Sequence, residues 1–480
     1  MPYAIPSDGL VAVVKRDCPT CALIAPVLDM LQQIEERLTV YSQDDPGFPK
    51  TVAGVLDDTE LEASYRLGVS IVPTVIRFEA GVETARAVGW NREEWQALAR
   101  FPGLGAELPE NRPGCASQTE DDGAEYRLRA RYGNTGLASR QIPLAPEEDA
   151  VEACYERGWT DGMPVIPPTP ERVLKILDGT PRRPDETVGP MPPNLVACTI
   201  EKIAINATMA GCKPEHMPVV LAVVEAALEP LFNLHGILAT TNTVGPVVMV
   251  NGPVARRIGM NSGGNVFGQG NRAHAAIGRA LQLLVRNVGG GVPGEIDRAV
   301  FGNPGKYSFC FAEDESDDRW ISYAVEKGYA PEASTVTLFG GDGVTPIIDH
   351  VSRTPEALCK TYVQSLLAVY NRFQVNEVAA FLVVGGEHQN VFYQAGWSKQ
   401  DLRRHLEERL TVRVGDLVPG RSGLGPLPDE ERSDPDRLVP KYRTGTLNIV
   451  RAGGRAGKYS AIISGLGSSG MMPVTREIDT

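Results

Sequence analysis

The sequence predicts an α/β protein in which a small first domain precedes a larger second domain. Short apolar runs typical of buried strands alternate along the chain with amphipathic helical segments. The chain has 480 residues, which at roughly 150 residues per domain indicates two or three domains. Its 50 glycines and 37 prolines indicate many tight turns and sites built from loops, in contrast to a helical bundle.

Composition and charge exclude several classes of protein. Lys and Arg number 47 against 60 Asp and Glu, so the net charge is −13. This sign disfavours a broad surface for nucleic acid or anionic membranes, because binding phosphate requires clustered positive charge. No apolar run reaches roughly 18 residues, so no transmembrane helix is predicted. The first residues lack a basic segment followed by an apolar core, and we therefore expect a cytoplasmic protein without a secretory signal.

The pattern of apolar runs and helical segments in residues 1–101 predicts one complete domain. Leu10–Val14 has the pattern of a buried strand, and a helix begins at Cys18 and runs to about Leu38. A strand, a helix, two further strands and a final helix capped by Asn91 follow, which gives the order β-α-β-α-β-β-α. Their predicted bounds are Leu38–Ser42, Thr59–Arg66, a strand behind Pro73 within Ser70–Phe78, Glu83–Val88 and Arg92–Arg100.

The spacing of the eight cysteines predicts a redox dithiol. They are too sparse for a secreted disulfide framework, and Cys18 and Cys21 form the one C-x-x-C. A zinc site with four thiolates needs a second close pair, which the sequence lacks. Cys18 is predicted at a helix N-terminus with Lys15 and Arg16 nearby, where its thiolate is favoured. We expect Cys18 to attack and Cys21 to resolve the mixed disulfide.

The first domain resembles the thioredoxin family over about 100 residues. The resemblance is carried by the element order, by Cys18-Pro-Thr-Cys21 at the first strand-to-helix turn and by Val72-Pro73-Thr74. It implies a cis-proline loop at Pro73 that lies against the dithiol and contacts substrate. Thioredoxins carry Trp-Cys-Gly-Pro-Cys, whereas this chain has Asp17-Cys-Pro-Thr-Cys, so the direction of electron flow stays open. An inert, structural copy of the fold is the alternative.

Residues 102–147 are predicted to be a linker, and residues 148–480 to be an α/β domain of uncertain topology. The linker is rich in Pro, Gly and acidic residues, and it contains Cys115. That cysteine is either a relay for electrons from the dithiol or an incidental exposed thiol. Helices of the second domain are predicted at 147–156, 199–209, 214–231, 272–285, 355–372 and 399–410. Strands are predicted at 245–250, 335–339, 378–384, 446–450 and 460–464.

A second candidate nucleophile, Cys212, precedes the predicted helix that begins at Pro214. We expect the helix N-terminus and Lys213 to lower the pKa of this thiol, with Glu215 nearby and His216 as a base or ion-pair partner. A small buried residue between packed helices is the alternative. A soft metal held by Cys212 and His216 is a weaker alternative, because no other pair of ligands is recognisable.

Other candidates for the same site are spread along the second domain. Cys310 is predicted to form a disulfide with Cys212 after turnover, and Glu313 is a secondary acid or base. A glycine- and asparagine-rich loop before a helix could present N–H groups to a substrate carboxylate, or could be a tight turn. Glu387 and His388 follow a strand, and a small-residue loop near the C-terminus adds two hydroxyls. The predicted substrate-binding residues are Pro73, Asn261, Gly263, Gly264, Asn265, Gly270, Arg272, Glu387, His388, Ser468 and Ser469.

A set of short motifs is spread along the second domain: Ala210–Glu215, Phe232–His235, Asn251–Pro253, Gly305–Cys310, Gly396–Lys399 and Pro473–Arg476. With these motifs the domain resembles a family of bacterial proteins loosely grouped with thiol- and selenocysteine-dependent reductases of the UGSC type. The resemblance spans roughly residues 148–480 and implies a cysteine-centred site with Cys212 in the matching position.

Together these features predict a thiol-dependent oxidoreductase that acts on a small organic substrate. A cysteine of the second domain would react, and the thioredoxin-like dithiol would return it to the thiol state. The cofactor is then a redox-active disulfide, and the expected electron donor is a thioredoxin reductase or a low-molecular-weight thiol. A lyase or hydratase with an accessory redox domain and a carrier of persulfide sulfur are the alternatives, and an oligomer is left open.

Overall fold

The computed structural model describes residues 6–34, 37–417, 433–468 and 470–479 as a mixed α/β protein. The chain divides into two compact units, Met1–Thr135 and Gly136–Thr480. The first unit contains a small mixed sheet and the second a larger one. Within the described residues, no helix is both long enough and apolar enough to cross a membrane.

The first unit is built on a five-stranded sheet in the order β3-β2-β1-β5-β6. Its strands are β1 Gly9–Val14, β2 Leu38–Ser42, β3 Leu56–Asp57, β4 Ile71–Val72, β5 Thr74–Glu79, β6 Val82–Val88, β7 Trp90–Asn91, β8 Asn111–Arg112 and β9 Cys115–Ala116. Its helices are α1 Pro19–Ile34, α2 Glu62–Arg66, α3 Arg92–Ala99 and α4 Ala124–Tyr132, with a 3-10 turn at Gln118–Glu120.

The predicted elements of residues 1–101 are present in the predicted order. All six residues of β1 are buried, as expected for a central strand made only of apolar residues and glycine. The strand β2 lies parallel to β1, and β5 lies antiparallel to β1 on its other side. Asn91 caps α3 as predicted, because its side chain accepts a hydrogen bond from the backbone N–H of Glu94.

Residues 102–135, predicted to be part of a linker, belong to the first compact unit. The short strand β9 pairs with β4, which places Cys115 opposite Val72. A second short pair joins β7 to β8, with Trp90 opposite Arg112. Composition misled the prediction here, because a Pro- and Gly-rich segment without periodicity can still dock through two-residue strand pairs. The rest of the predicted linker, residues 136–147, belongs to the second unit.

The second unit contains the other strands and helices. Its strands are β10 Thr187–Met191, β11 Val196–Thr199, β12 Gly245–Asn251, β13 Cys310–Ala312, β14 Thr335–Ile348, β15 Val378–Val384, β16 Thr411–Arg413, β17 Leu438–Pro440, β18 Leu447–Arg451, β19 Tyr459–Leu466 and β20 Val474–Glu477. Its helices are α5 Ala150–Glu156, α6 Pro170–Leu177, α7 Ile200–Ala210, α8 Met217–Leu228, α9 Leu234–Ala239, α10 Pro253–Arg257, α11 Arg272–Leu284, α12 Tyr323–Glu326, α13 Pro355–Leu367, α14 Gly386–Gln394 and α15 Lys399–Glu407.

A seven-stranded mixed sheet forms the core of this unit, in the order β13-β12-β14-β19-β15-β18, with β20 paired to β14. Strand β14 is longer than the predicted strand that ends at Phe339, because a shift of register between Gly341 and Val344 lets pairing continue. Its first half pairs with β12 and β20, and its second half pairs with β19. The ends of the edge strands β13 and β18 meet where the N–H of Asp314 donates to the Arg451 carbonyl, at 2.7 Å.

Candidate active site

Three cysteines of the first unit meet where strand β1 leads into helix α1. Cys18 immediately precedes α1, Cys21 lies in its first turn, and Cys115 comes from β9, 97 positions further along the chain. The sulfur of Cys18 lies 2.9 Å from that of Cys115, and it accepts a hydrogen bond from the backbone N–H of Cys21 at 3.4 Å. All three are free thiols. We call Cys18, Cys21 and Cys115 the thiol cluster.

The three cysteines of the thiol cluster differ in their pKa values. Hydrogen bonds lower the pKa of Cys18 to about 5: the largest is from the Cys21 side chain, with others from Cys115 and from the backbone of Cys21 and Thr20. Burial raises the pKa of Cys21 far above its ordinary value, and the neighbouring Cys18 raises it further. Burial is also the largest cause that raises the pKa of Cys115, followed by Cys18. At neutral pH the cluster therefore carries its negative charge on Cys18.

The expected contribution of Lys15 and Arg16 takes a different form from the one predicted. Neither is among the causes that lower the pKa of Cys18. Lys15 Nζ donates instead to the Ala116 carbonyl at 2.8 Å, and Arg16 Nη1 donates to Asp45 at 3.2 Å. Thiol and backbone donors at short range therefore stabilise the thiolate, and Lys15 helps to hold the segment that carries Cys115.

The loop at Pro73 lies against the thiol cluster, as predicted. The Val72–Pro73 peptide bond is cis. The Val72 carbonyl oxygen lies 3.5 Å from the sulfur of Cys18. Because Val72 also pairs with Cys115, one short strand contacts both sulfur-bearing segments.

The surroundings of Cys212 are the opposite of those predicted. Helix α7 ends at Ala210, and the backbone N–H of Cys212 donates to the Ala207 carbonyl at 2.9 Å. Pro214–His216 is a 3-10 turn that precedes α8, in place of the first turn of a longer α-helix. Burial raises the pKa of the Cys212 thiol to about 12, and only the charge of Arg272 opposes it. The expected lowering was wrong, because loss of solvation outweighs a nearby helix start.

His216 and Glu215 are both engaged by Lys213. The Nδ1 atom of His216 accepts the Lys213 backbone N–H at 3.3 Å, and burial lowers the pKa of His216 to about 4. Glu215 forms an ion pair with Lys213 Nζ at 3.2 Å. In the described part of the chain, no group of three or more His, Cys, Asp or Glu side chains could hold a metal ion. The soft-metal alternative at Cys212 and His216 stays a prediction.

Arg272 and Cys310 both lie near Cys212. Arg272 Nε donates to the carbonyl of Gly211 at 2.9 Å, which anchors the start of α11 beside Cys212. Cys310 is buried on β13, and its pKa is raised by burial and by the nearby Cys212. The second unit therefore holds two protonated, buried thiols in one neighbourhood.

The glycine- and asparagine-rich loop bonds largely to itself. Asn261 accepts the N–H of Gly263 at 2.9 Å and donates to the Gly264 carbonyl at 2.8 Å. Asn265 donates to the carbonyl of Gln269 at 2.9 Å. Gly270 has φ +110°, a left-handed conformation that favours glycine. These contacts are those of the tight-turn alternative, and a role in binding a carboxylate stays a prediction.

The structure places His388, Glu387 and Ser468 on or beside elements other than those that flank Cys212. His388 is buried on α14, where Nδ1 contacts Ser460 Oγ at 2.9 Å and Nε2 contacts the Asp349 carbonyl at 3.2 Å. Its partner Glu387 is half-buried on the same helix. Ser468 forms an isolated bridge with Met471, and Ser469 lies outside the described residues.

Two features of the second unit were not predicted from the sequence. One is a cavity of roughly 590 Å³, a size suited to a small organic molecule. Its wall is largely apolar and includes Ile142, Cys154, Trp159, Val173, Ile205 and Met209, but none of the predicted site residues. The apolar faces of α5 and α7 were the available signal, but the 137–144 segment that closes one side was assigned to a linker.

The other is a buried charge network around Lys399. Its Nζ lies 3.8 Å from Glu313 and 3.6 Å from Glu326. Glu313 accepts the Tyr323 N–H at 2.7 Å and an Asn251 side-chain N–H at 2.6 Å, while burial raises its pKa. These partners give Glu313 a structural role that joins β12, α12 and α15.

Comparison with known proteins adds no assignment. No protein-family model matches the chain, and a search of curated proteins finds no match either. The two resemblances drawn from sequence motifs therefore remain predictions, and the function is argued from geometry.

Proposed function

We propose that this protein is a thiol–disulfide oxidoreductase whose reacting centre is the thiol cluster of the first unit. The observation that carries the proposal is the position of Cys18: its sulfur is 2.9 Å from a second thiol and receives several hydrogen bonds that favour the thiolate. The thiolate is the form that attacks and leaves in disulfide exchange. A structural copy of the domain would need no such acidic cysteine.

We also propose the thioredoxin fold for this unit. Support comes from helix α1 directly after the central strand β1, from the mixed order β3-β2-β1-β5-β6 and from the cis Val72–Pro73 bond beside Cys18. The β8, β9 and α4 segments are additions at its C-terminal side.

The proposal is tested by the ultraviolet absorbance of the thiolate during a pH titration of the reduced protein. We expect one thiolate to appear with a midpoint near pH 5, and Cys18→Ser to abolish it. Cys18→Ser should also lower the rate of catalysed exchange between small thiols and disulfides by about a hundredfold or more. Cys198→Ser, at a buried cysteine of the second unit, is the matched control and should change neither. A titration without a midpoint below pH 7 would refute the proposal.

A second candidate function is the reduction of a small organic substrate by the larger unit. It is favoured by the neighbouring thiols Cys212 and Cys310. Cys212 and Cys310 would give two electrons to the substrate and form a disulfide with each other. The thiol cluster would then reduce that disulfide. The double variant Cys21→Ser/Cys115→Ser, in which neither neighbour can resolve Cys18, tests this after gentle oxidation and mass mapping. A Cys18 linked to Cys212 or Cys310 is expected, and its absence contradicts the coupling.

A further inference from the structure

The members of the thiol cluster differ in their access to solvent. Cys18 is 1% exposed and Cys21 is 0% exposed. Cys115, whose sulfur touches that of Cys18, is half-buried. A thiol or disulfide in solution therefore reaches Cys115 first, although the stable thiolate is Cys18.

We propose that Cys115 is the sulfur through which the first unit exchanges with external thiols, and that Cys18 and Cys115 form its working disulfide. The partner is a low-molecular-weight thiol or its disulfide. Cys21 is then a positioning residue that donates a hydrogen bond to Cys18. The inference rests on the proposed function and replaces the expected resolving role of Cys21.

The segment that carries Cys115 is held in place from three directions. Its β9 strand pairs with β4, Thr20 Oγ1 donates to the Pro113 carbonyl at 2.7 Å, and Lys15 Nζ donates to the Ala116 carbonyl. Gly114 lets this segment approach closely, because a Cβ there would lie 2.6 Å from the carbonyl oxygen of Val72. Hydrogen bonds to residues on both sides of Cys115 therefore hold its sulfur in contact with that of Cys18.

In the direction that oxidises external thiols and reduces the protein, an external thiolate attacks the Cys115 sulfur of the Cys18–Cys115 disulfide. The protein disulfide breaks, Cys18 leaves as a thiolate, and a mixed disulfide forms on Cys115. A second external thiolate attacks the outer sulfur of that mixed disulfide, which releases the small disulfide and the Cys115 thiolate, and the latter takes up a proton. Two thiols have lost two electrons to the protein, and a small disulfide reverses the same steps to reoxidise it.

Acidity and exposure assign complementary roles to the two sulfurs. A thiol of low pKa leaves quickly, so breaking the bond toward Cys18 is favoured. Attack occurs at the sulfur that the reagent can reach, which is Cys115. Cys21, buried and with a pKa far above its ordinary value, is poorly suited to attack at neutral pH.

The test is oxidation of the reduced, full-length protein with glutathione disulfide, followed by acid quenching, alkylation and mass mapping. Wild type and Cys21→Ser should both acquire the Cys18–Cys115 disulfide. Cys18→Ser should instead retain glutathione on Cys115, because nothing resolves it. Cys115→Ser, which keeps Cys18 covered, should react at least about tenfold more slowly at Cys18.

The outcomes separate this inference from the proposed function. A Cys18–Cys21 disulfide in wild type, with unchanged oxidation of Cys115→Ser, would overturn the role of Cys115 and leave the proposed function intact. If wild type forms no disulfide within the thiol cluster and Cys18→Ser behaves like wild type, the proposed function itself fails.

Discussion

The two cysteine groups of this chain show what makes a sulfur acidic. Cys18 and Cys212 both precede a proline at the start of a helical turn, and both have a basic residue nearby. Yet the pKa of Cys18 is about 5, whereas that of Cys212 is about 12. Cys18 receives hydrogen bonds from two thiols and two backbone groups, while Cys212 is buried with only the charge of Arg272 to oppose desolvation. Hydrogen-bond donors that contact the sulfur determine whether its pKa is lowered, and placement near a helix start does not.

The largest expected effect is in thiol labelling of the native protein, which compares the two groups directly. Cys115 should react with a small alkylating reagent at pH 8 at least about a hundredfold faster than Cys212, because Cys115 is half-buried whereas Cys212 is buried. Peptide mapping after timed labelling measures both rates in one sample. Comparable rates would mean that the second unit opens readily and that the contrast between the groups is wrong.

A smaller effect is expected in the pH dependence of stability. An unfolded cysteine titrates near 9.0, and the folded pKa of Cys18 is about 5, so folding favours its thiolate. Its contribution to the free energy of unfolding is thus fully present above pH 9 and is lost as pH falls through about 5. Denaturant unfolding of the reduced wild type and of Cys18→Ser should show a stability difference that grows from pH 5 to pH 9. A constant difference contradicts the lowered pKa.

The smallest effect is expected from Gly114→Ala. The added Cβ would meet Ile71 at 2.5 Å as well as the carbonyl of Val72, so the segment carrying Cys115 must shift. We expect a several-fold slower formation of the Cys18–Cys115 disulfide and a higher pKa for Cys18. Gly103→Ala is the matched control, because its Cβ would make only an ordinary contact with Phe101, at 3.4 Å. Equal rates in both variants would show that the close approach at Gly114 does not position Cys115.

Local patterns predicted much of the first unit and little of its chemistry. The strand Leu10–Val14 and the cap at Asn91 follow from apolar runs and capping preferences, and both are present. The contact of Cys115 with Cys18 depends on the pairing of the two-residue strands β4 and β9, which brings together cysteines 97 positions apart in the chain. No local signal encodes such pairing. The pKa of Cys212 depends on burial by elements far along the chain, which the spacing of residues does not reveal.

The pairing of Cys115 with a strand near Cys18 has a consequence for chain entropy. A Cys18–Cys115 bond would close a loop of 97 positions, whereas a Cys18–Cys21 bond would close only a single turn. In the loop-closure description, a loop of about 100 residues restricts the unfolded chain by roughly 4.7 kcal/mol, and one of about 4 residues by roughly 2 kcal/mol. Oxidation at Cys115 would thus tether the C-terminal part of the first unit to its central sheet and raise its melting temperature.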